Sequence, residues 1–204
     1  MIGYYVHHRG AGHLSRVRAI AAQTSAPLTA LSSLPRPSGW DHGWVDLPLD
    51  EEQDAIDPTG RGALHWAPIH TDGLRARMEA IAAWIARARP AVLVADVSVE
   101  VAVYARLMGI PVVVMGMPGD RTDAPHQLAY RMAERIICPW PAWAHPARGL
   151  EPWEDKVRNV GAISRFDGCP RPAPHRGRTR VAVRQPPRPR CSAPRDRPRR
   201  PHLR

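Results

Sequence analysis

Two side chains in this sequence are of the right type to work together on a proton, His13 and Asp96. A histidine titrates near neutral pH, so it can serve as a general base toward a hydroxyl group. It does so well when a carboxylate fixes its tautomer and stabilises the imidazolium that forms. His13 stands in the run Gly10-Ala11-Gly12-His13, and Asp96 closes the apolar run Ala91–Ala95. Gly10 and Gly12 let the backbone come close to a ligand, and the N–H groups of a helix that starts there point at it. Ser98, just past Asp96, and Gly116 and Gly119, in a later loop, complete the candidate substrate-binding residues.

The pattern around these residues supplies the elements that must position them. Ile2–Val6 is a short apolar strand, followed by the glycine loop and a helix to about Ala22 that turns Leu14, Val17, Ile20 and Ala21 to one face. Leu28–Leu31 and Trp44–Leu47 read as the next two strands, separated by Pro35, Pro37, Ser38 and Gly39. Thr71 is placed to cap a long helix with Leu74, Met78, Ile81 and Ile85 at helical spacing, which Pro90 stops. Ala91–Ala95 then reads as a buried parallel strand, Val99–Met108 as a helix closed by Gly109, and Pro111–Met115 as another buried strand. A helix from Pro125 to Glu134, a strand Arg135–Cys138 and a last strand Lys156–Val160 follow. Such alternation predicts an α/β fold, a Rossmann-like parallel sheet with helices on both faces. Ligands of that fold sit at the carboxyl ends of the strands. That puts the Gly10–His13 loop, Asp96 with Ser98, and the Gly116–Asp120 loop on one rim.

Three readings of the glycine loop are open on these grounds. In the plainest, His13 caps its helix or faces solvent. In the second, the loop is a dinucleotide fingerprint with Ser15 in the third glycine position, as in an NAD(P)-dependent oxidoreductase. That reading expects an acid after the second strand to hold a ribose, where Ser32 and Ser33 stand. In the third, His13 is the base of a sugar transfer and Asp96 its partner. Glu100, one helical turn on, is a rival partner. His7 and His8 are read as loop residues rather than metal ligands with His13, and the acidic stretch from Asp50 to Asp57 as a solvated loop. Arg121 and Asp123 are either acceptor contacts or surface charge. Trp140, Trp143 and Trp153 suit a packed turn, and Ser98 an ordinary helix cap.

Composition divides the chain. Of its 204 residues 23 are prolines, and residues 169–204 hold twelve arginines against one acid, Asp196. Subtracting that +11 from the net charge of +10 leaves −1 for residues 1–168, so the high pI does not describe a nucleic-acid-binding face. The expected organisation is therefore a domain over 1–168 and an Arg/Pro-rich disordered tail over 169–204. RTRVAV at 178–183 begins like a strand and then dissolves into arginine and proline, as a shifted reading frame in a GC-rich gene would produce; a basic tail that contacts phosphates is the other explanation. Cys138, Cys169 and Cys191 have neither metal-site spacing nor an even count, which fits reduced thiols and a cytoplasmic protein. No run approaches the roughly 20 apolar residues of a membrane span.

With these residues in place, a family resemblance stands out. HHRGAGHLSR resembles the N-terminal loop of two-domain, GT-B fold glycosyltransferases, the family 28 and UDP-glycosyltransferase-like enzymes. PAVLVADVSVEVAVYARLMGIPVVVMGMPG, Pro90–Gly119, is similar to their later strand–helix–strand unit, and KVRNVGAI, Lys156–Ile163, to the strand before their interdomain linker. The resemblance covers roughly residues 1–168 and implies an acceptor-binding N-terminal domain, with His13 as base and Asp96 as its partner. It implies a nucleotide-sugar donor, UDP-sugar by type, held by a separate C-terminal domain that is not recognisable in this sequence. The acceptor would be a small molecule or a lipid, which would place the protein in the cytoplasm or peripheral to the inner membrane face. No cofactor, metal or specific nucleic-acid partner is expected. A chain truncated or frameshifted before its donor domain is expected to be inactive alone.

Overall fold

The structure, a computed structural model, describes residues 1–144 and 148–163; the 169–204 tail lies outside them. Seven parallel strands form one sheet: β1 (Ile2–Val6), β2 (Leu28–Ser32), β3 (Gly43–Asp46), β4 (Val92–Asp96), β5 (Val112–Met115), β6 (Arg135–Cys138) and β7 (Val157–Asn159). Their spatial order is β3-β2-β1-β4-β5-β6-β7. The chain therefore builds outward in one direction from β1, returns, and builds outward in the other from β4. The helices α1 (Ala11–Ala21), α2 (Asp72–Ala88), α3 (Val99–Leu107) and α4 (Ala124–Met132) connect the strands.

Side chains alternate across a strand, so β1 feeds two cores at once. Tyr4 and Val6 join Val17 and Ala21 of α1, Ala30 and Trp40 on one face. Tyr5 joins Ile81, Trp84 and Ile85 of α2 and Val101 and Ala105 of α3 on the other. Trp84 lies over Gly3, where an added Cβ would stand 2.5 Å from its ring. Beyond α1 the first face carries an apolar groove of about 500 Å³, floored by Val94, Val113, Met115 and Ile137.

The expected elements are present with small shifts at their ends. α4 stops at Met132 because Ala133 is extended and the Glu134 N–H donates to Val112 O at 2.8 Å, already part of the sheet. Leu47 lies just past β3, although its N–H still reaches Ser32 O. A short 3₁₀ turn, Glu151–Trp153, precedes β7 and contains one of the tryptophans expected in a turn. Thr71 holds the N-cap position of α2 without a capping side-chain bond, whereas Ser98 caps α3 by accepting from Val101 N–H at 3.2 Å.

Candidate active site

β1 and β4 are neighbours at the point where the direction of sheet building reverses, and Val6 pairs with Asp96. The two chains leaving these strands part company there, which opens a crevice at their carboxyl ends. α1 begins beside it. Gly10 takes φ 97° as the N-cap, a left-handed backbone that glycine adopts without a Cβ clash. That turn swings α1 back so that His13 and Arg16, three residues apart on one helix face, both point at Asp96.

Asp96 is fully buried and has three partners. His13 Nδ1 lies 3.0 Å from its Oδ1, the Arg16 guanidinium pairs with the same oxygen, and Tyr4 Oη donates to Oδ2 at 3.0 Å. A carboxylate without water around it needs such compensation, and Arg16 supplies the charge for it. Burial, and then the Asp96 charge, push the Tyr4 phenol well above its ordinary range, so Tyr4 stays a neutral donor. With Nδ1 on Asp96, the Nε2 atom of His13 is the ring nitrogen left for another partner, and the side chain is 15% exposed. The residue after Asp96, Val97, has φ 77°. A β-branched side chain in the left-handed region costs about 1–3 kcal/mol, a strain that collects at functional sites.

His7 packs beside His13, their ring centres 5.8 Å apart. Its Nδ1 accepts from the Arg9 N–H at 3.0 Å. Burial above all, helped by the charges of His8, His13 and Arg77, lowers the His7 pKa to about 4, so this ring is neutral at physiological pH. His7 also lines a cavity of about 240 Å³ with His8, Trp66, Arg77, Ser98 and Glu100. Among the described residues, neither buried ring nitrogen of His8 has a hydrogen-bond partner; Glu51 Oε1 stands 3.4 Å from Nε2 without the geometry of a bond. Arg77, 1% exposed, braces the opposite wall through Tyr5 Oη at 2.7 Å, Ser33 Oγ at 2.7 Å and Asp50 at 3.0 Å. Burial outweighs the nearby Arg77 charge and raises the Tyr5 phenol to about 12.

The other expected site residues fall in different places. Ser98 lines the cavity, but its hydroxyl is committed to the α3 cap and to Glu100 Oε2 at 3.0 Å. Gly12 is an exposed residue in the first turn of α1. Gly116 is buried with Cys138 against it, and an added Cβ would stand 2.9 Å from that sulfur. Gly119 is an exposed turn residue with φ 97°. Glu100 is held by the His65 and Trp66 N–H groups at 2.8 and 3.0 Å, not by His13. Ser32 and Ser33, where a dinucleotide site would carry its acid, bond Val6 O and Pro48 O. Trp143 is 87% exposed rather than packed, while Trp140 is buried and Trp153 donates to Gln127 Oε1. Tyr4, Arg16 and Arg77 are among the residues of the site not singled out in the sequence. The i, i+3 spacing of His13 and Arg16 was a signal for the second, and an arginine on the apolar face of α2 for the third.

The fold and the placement of the crevice are those of a Rossmann-like α/β domain with its site at the switch point between β1 and β4. No family model matches the chain, and no curated protein matches it significantly. Among solved structures the chain is similar to MurG of Acinetobacter baumannii, at 14% identity over 79% of this chain and 45% of that one, with a TM-score of 0.48. It is also similar to a UDP-glucosyltransferase from Polygonum tinctorium capable of glucosylating indoxyl, at 18% identity over 79% of this chain and 52% of that one, with a TM-score of 0.49. The chain spans about half the length of these two proteins.

Proposed function

We propose that residues 1–168 are the acceptor-binding domain of a GT-B glycosyltransferase, which moves a sugar from a nucleotide-sugar to an acceptor hydroxyl. The observation that carries this reading is the His13–Asp96 contact at 3.0 Å on the switch-point crevice, next to His7, which lines the cavity. In the proposed step the acceptor oxygen bonds to the anomeric carbon as the nucleotide diphosphate leaves. The hydroxyl proton passes to His13 Nε2, and Asp96 holds the ring in register and faces the imidazolium charge. The acceptor binds in the cavity that His7 and His8 line, with Arg77 bracing its wall. The donor is held by a further domain, UDP-sugar being the type that the family resemblance implies, and Gly10 and Gly119 shape the loops that face it.

The decisive experiment measures transfer from radiolabelled UDP-sugars by an intact form of the protein and by its His13→Ala variant. Loss of a general base lowers the rate about 10²- to 10⁴-fold. A variant that keeps the parent rate removes His13 from the role of base. Translation of the other two reading frames beyond Val183 tests the organisation separately, since the proposal expects a glycine-rich donor domain in one of them.

A further inference from the structure

A second group of histidines and a carboxylate centres on Asp123 instead of Asp96, and one of its members, His65, lines the cavity beside His7. Asp123, in the N-cap position of α4, is flanked by His126 from the first turn of that helix and by His65 from the 48–70 loop. His65 Nε2 lies 3.0 Å from Asp123 Oδ2, and His126 Nδ1 lies 2.7 and 2.8 Å from its two oxygens. The two imidazole ring centres are 4.5 Å apart, and the three ligand atoms all lie within 4.8 Å of one another.

We propose that His65, Asp123 and His126 bind a first-row divalent transition cation of the zinc type. In a tetrahedral site with bonds of about 2.0–2.1 Å, neighbouring ligand atoms are about 3.3 Å apart; here both histidines lie 2.7–3.0 Å from Asp123 and all three ligand atoms fall within 4.8 Å, so a small outward shift of the carboxylate admits the ion. Two imidazoles and one carboxylate favour zinc, nickel or cobalt over magnesium and calcium, which prefer all-oxygen shells. His65 and Asp123 have side chains about two-fifths exposed, which leaves room for water at the fourth position. The site joins residues 58 positions apart in sequence. Its cation therefore fastens the 48–70 loop to the start of α4. That loop carries Trp66 and the N–H groups that hold Glu100, so the metal steadies one wall of the cavity. The proposal does not depend on the transfer reaction.

A hydrogen-bonded His–Asp–His clamp is the alternative, and substitution by asparagine separates the two. Asparagine keeps an N–H donor for Asp123 but is a poor zinc ligand. Titration of the full 204-residue chain with Zn²⁺ in a calorimeter is expected to show a saturable one-to-one step. That step weakens at least about tenfold in His65→Asn and in His126→Asn, as loss of a direct ligand must exceed the cost of losing an outer-shell partner. It persists in His42→Asn, which lies elsewhere. Absence of the step from the parent chain, or its persistence in both Asn variants, overturns the proposal. Should either variant fail to fold, as read by far-ultraviolet circular dichroism, Co²⁺ added to the parent decides. Intense visible bands of four-coordinate cobalt support the site, and the pale spectrum of the aquo ion overturns it.

Discussion

Asp96 and Asp123 each hold histidine at the carboxyl edge of one sheet, in opposite surroundings. Asp96 is fully buried and is already matched by the Arg16 guanidinium and the Tyr4 hydroxyl. Asp123 has a 44% exposed side chain, two histidines and, among the described residues, no arginine paired to it. Burial raises the pKa of the Asp123 carboxyl, but the hydrogen bonds from His126 and His65 outweigh it and hold the group at about 2. The contrast separates two uses of the same pair of residue types. A buried carboxylate with its charge already balanced is left to serve the ring beside it. An exposed one with imidazole nitrogens around it can take up a cation.

The comparison is broken most directly by deleting each carboxylate. Asp96→Ala leaves Arg16 facing an empty, buried pocket, and removal of one partner of such a pair costs about 3–5 kcal/mol. Asp123→Ala removes a helix N-cap at the surface, which costs about 1 kcal/mol. Urea unfolding followed by circular dichroism ranks them. If Asp123→Ala proved the more damaging, the division into a buried orienting site and an open one would fail. Next in size is Tyr4→Phe, which deletes only the hydroxyl that donates to Asp96 and is expected to cost about 1.5 kcal/mol, the lower range for a bond to a charged group. The same assay reads it, and a neutral result would mean that His13 and Arg16 satisfy Asp96 without Tyr4.

Smaller effects are expected where backbone rather than charge positions His13. Gly10 has φ 97° and open space around it, so Gly10→Ala meets no atom yet is strained, at about 1 kcal/mol. Gly12 is helical and also has open space, so Gly12→Ala is expected to stabilise by about 0.5 kcal/mol. Opposite signs in thermal unfolding would show that the first glycine shapes the loop and the second merely fits it.

These expectations also mark what could be read before any coordinates. The strands were legible because buried parallel strands are continuous apolar runs, as in AVLVA and PVVVM, and the helices because their apolar residues recur every three or four positions. The rule that ligands gather at strand carboxyl ends then brought His13 and Asp96 to one rim across 83 positions. What lay beyond reading was which long polar side chains turn inward. Arg77 falls on the apolar face of an Ala/Arg-rich helix, but nothing in the sequence names Tyr5, Ser33 and Asp50 as the partners that hold it inside. The His65–Asp123–His126 group was hidden for another reason. Its first member sits in an irregular loop tied together by an isolated Ile56–Ile69 bridge, and no periodicity places such a loop against a distant helix start.

The smallest expected effect concerns His7, the neighbour that shares the crevice with His13. Its pKa in the folded protein is about 4, against an ordinary value of 6.5. Between those two values the unfolded chain holds the His7 proton and the folded chain does not. Unfolding therefore takes up a proton there, and stability rises with pH across that window. Read in the other direction, His7 contributes stability that is present above pH 6.5 and lost as the pH falls toward 4. In His7→Asn that contribution is gone, while the oxygen of asparagine can still accept from the Arg9 N–H. The urea midpoint is expected to fall between pH 7 and pH 5 in both proteins, because burial also lowers the pKa of His126, but to fall less in the variant. Equal falls would mean that His7 is as well hydrated as a free imidazole. The crevice around His13 would then be wet, and it would resemble the open Asp123 site more than its buried neighbours suggest.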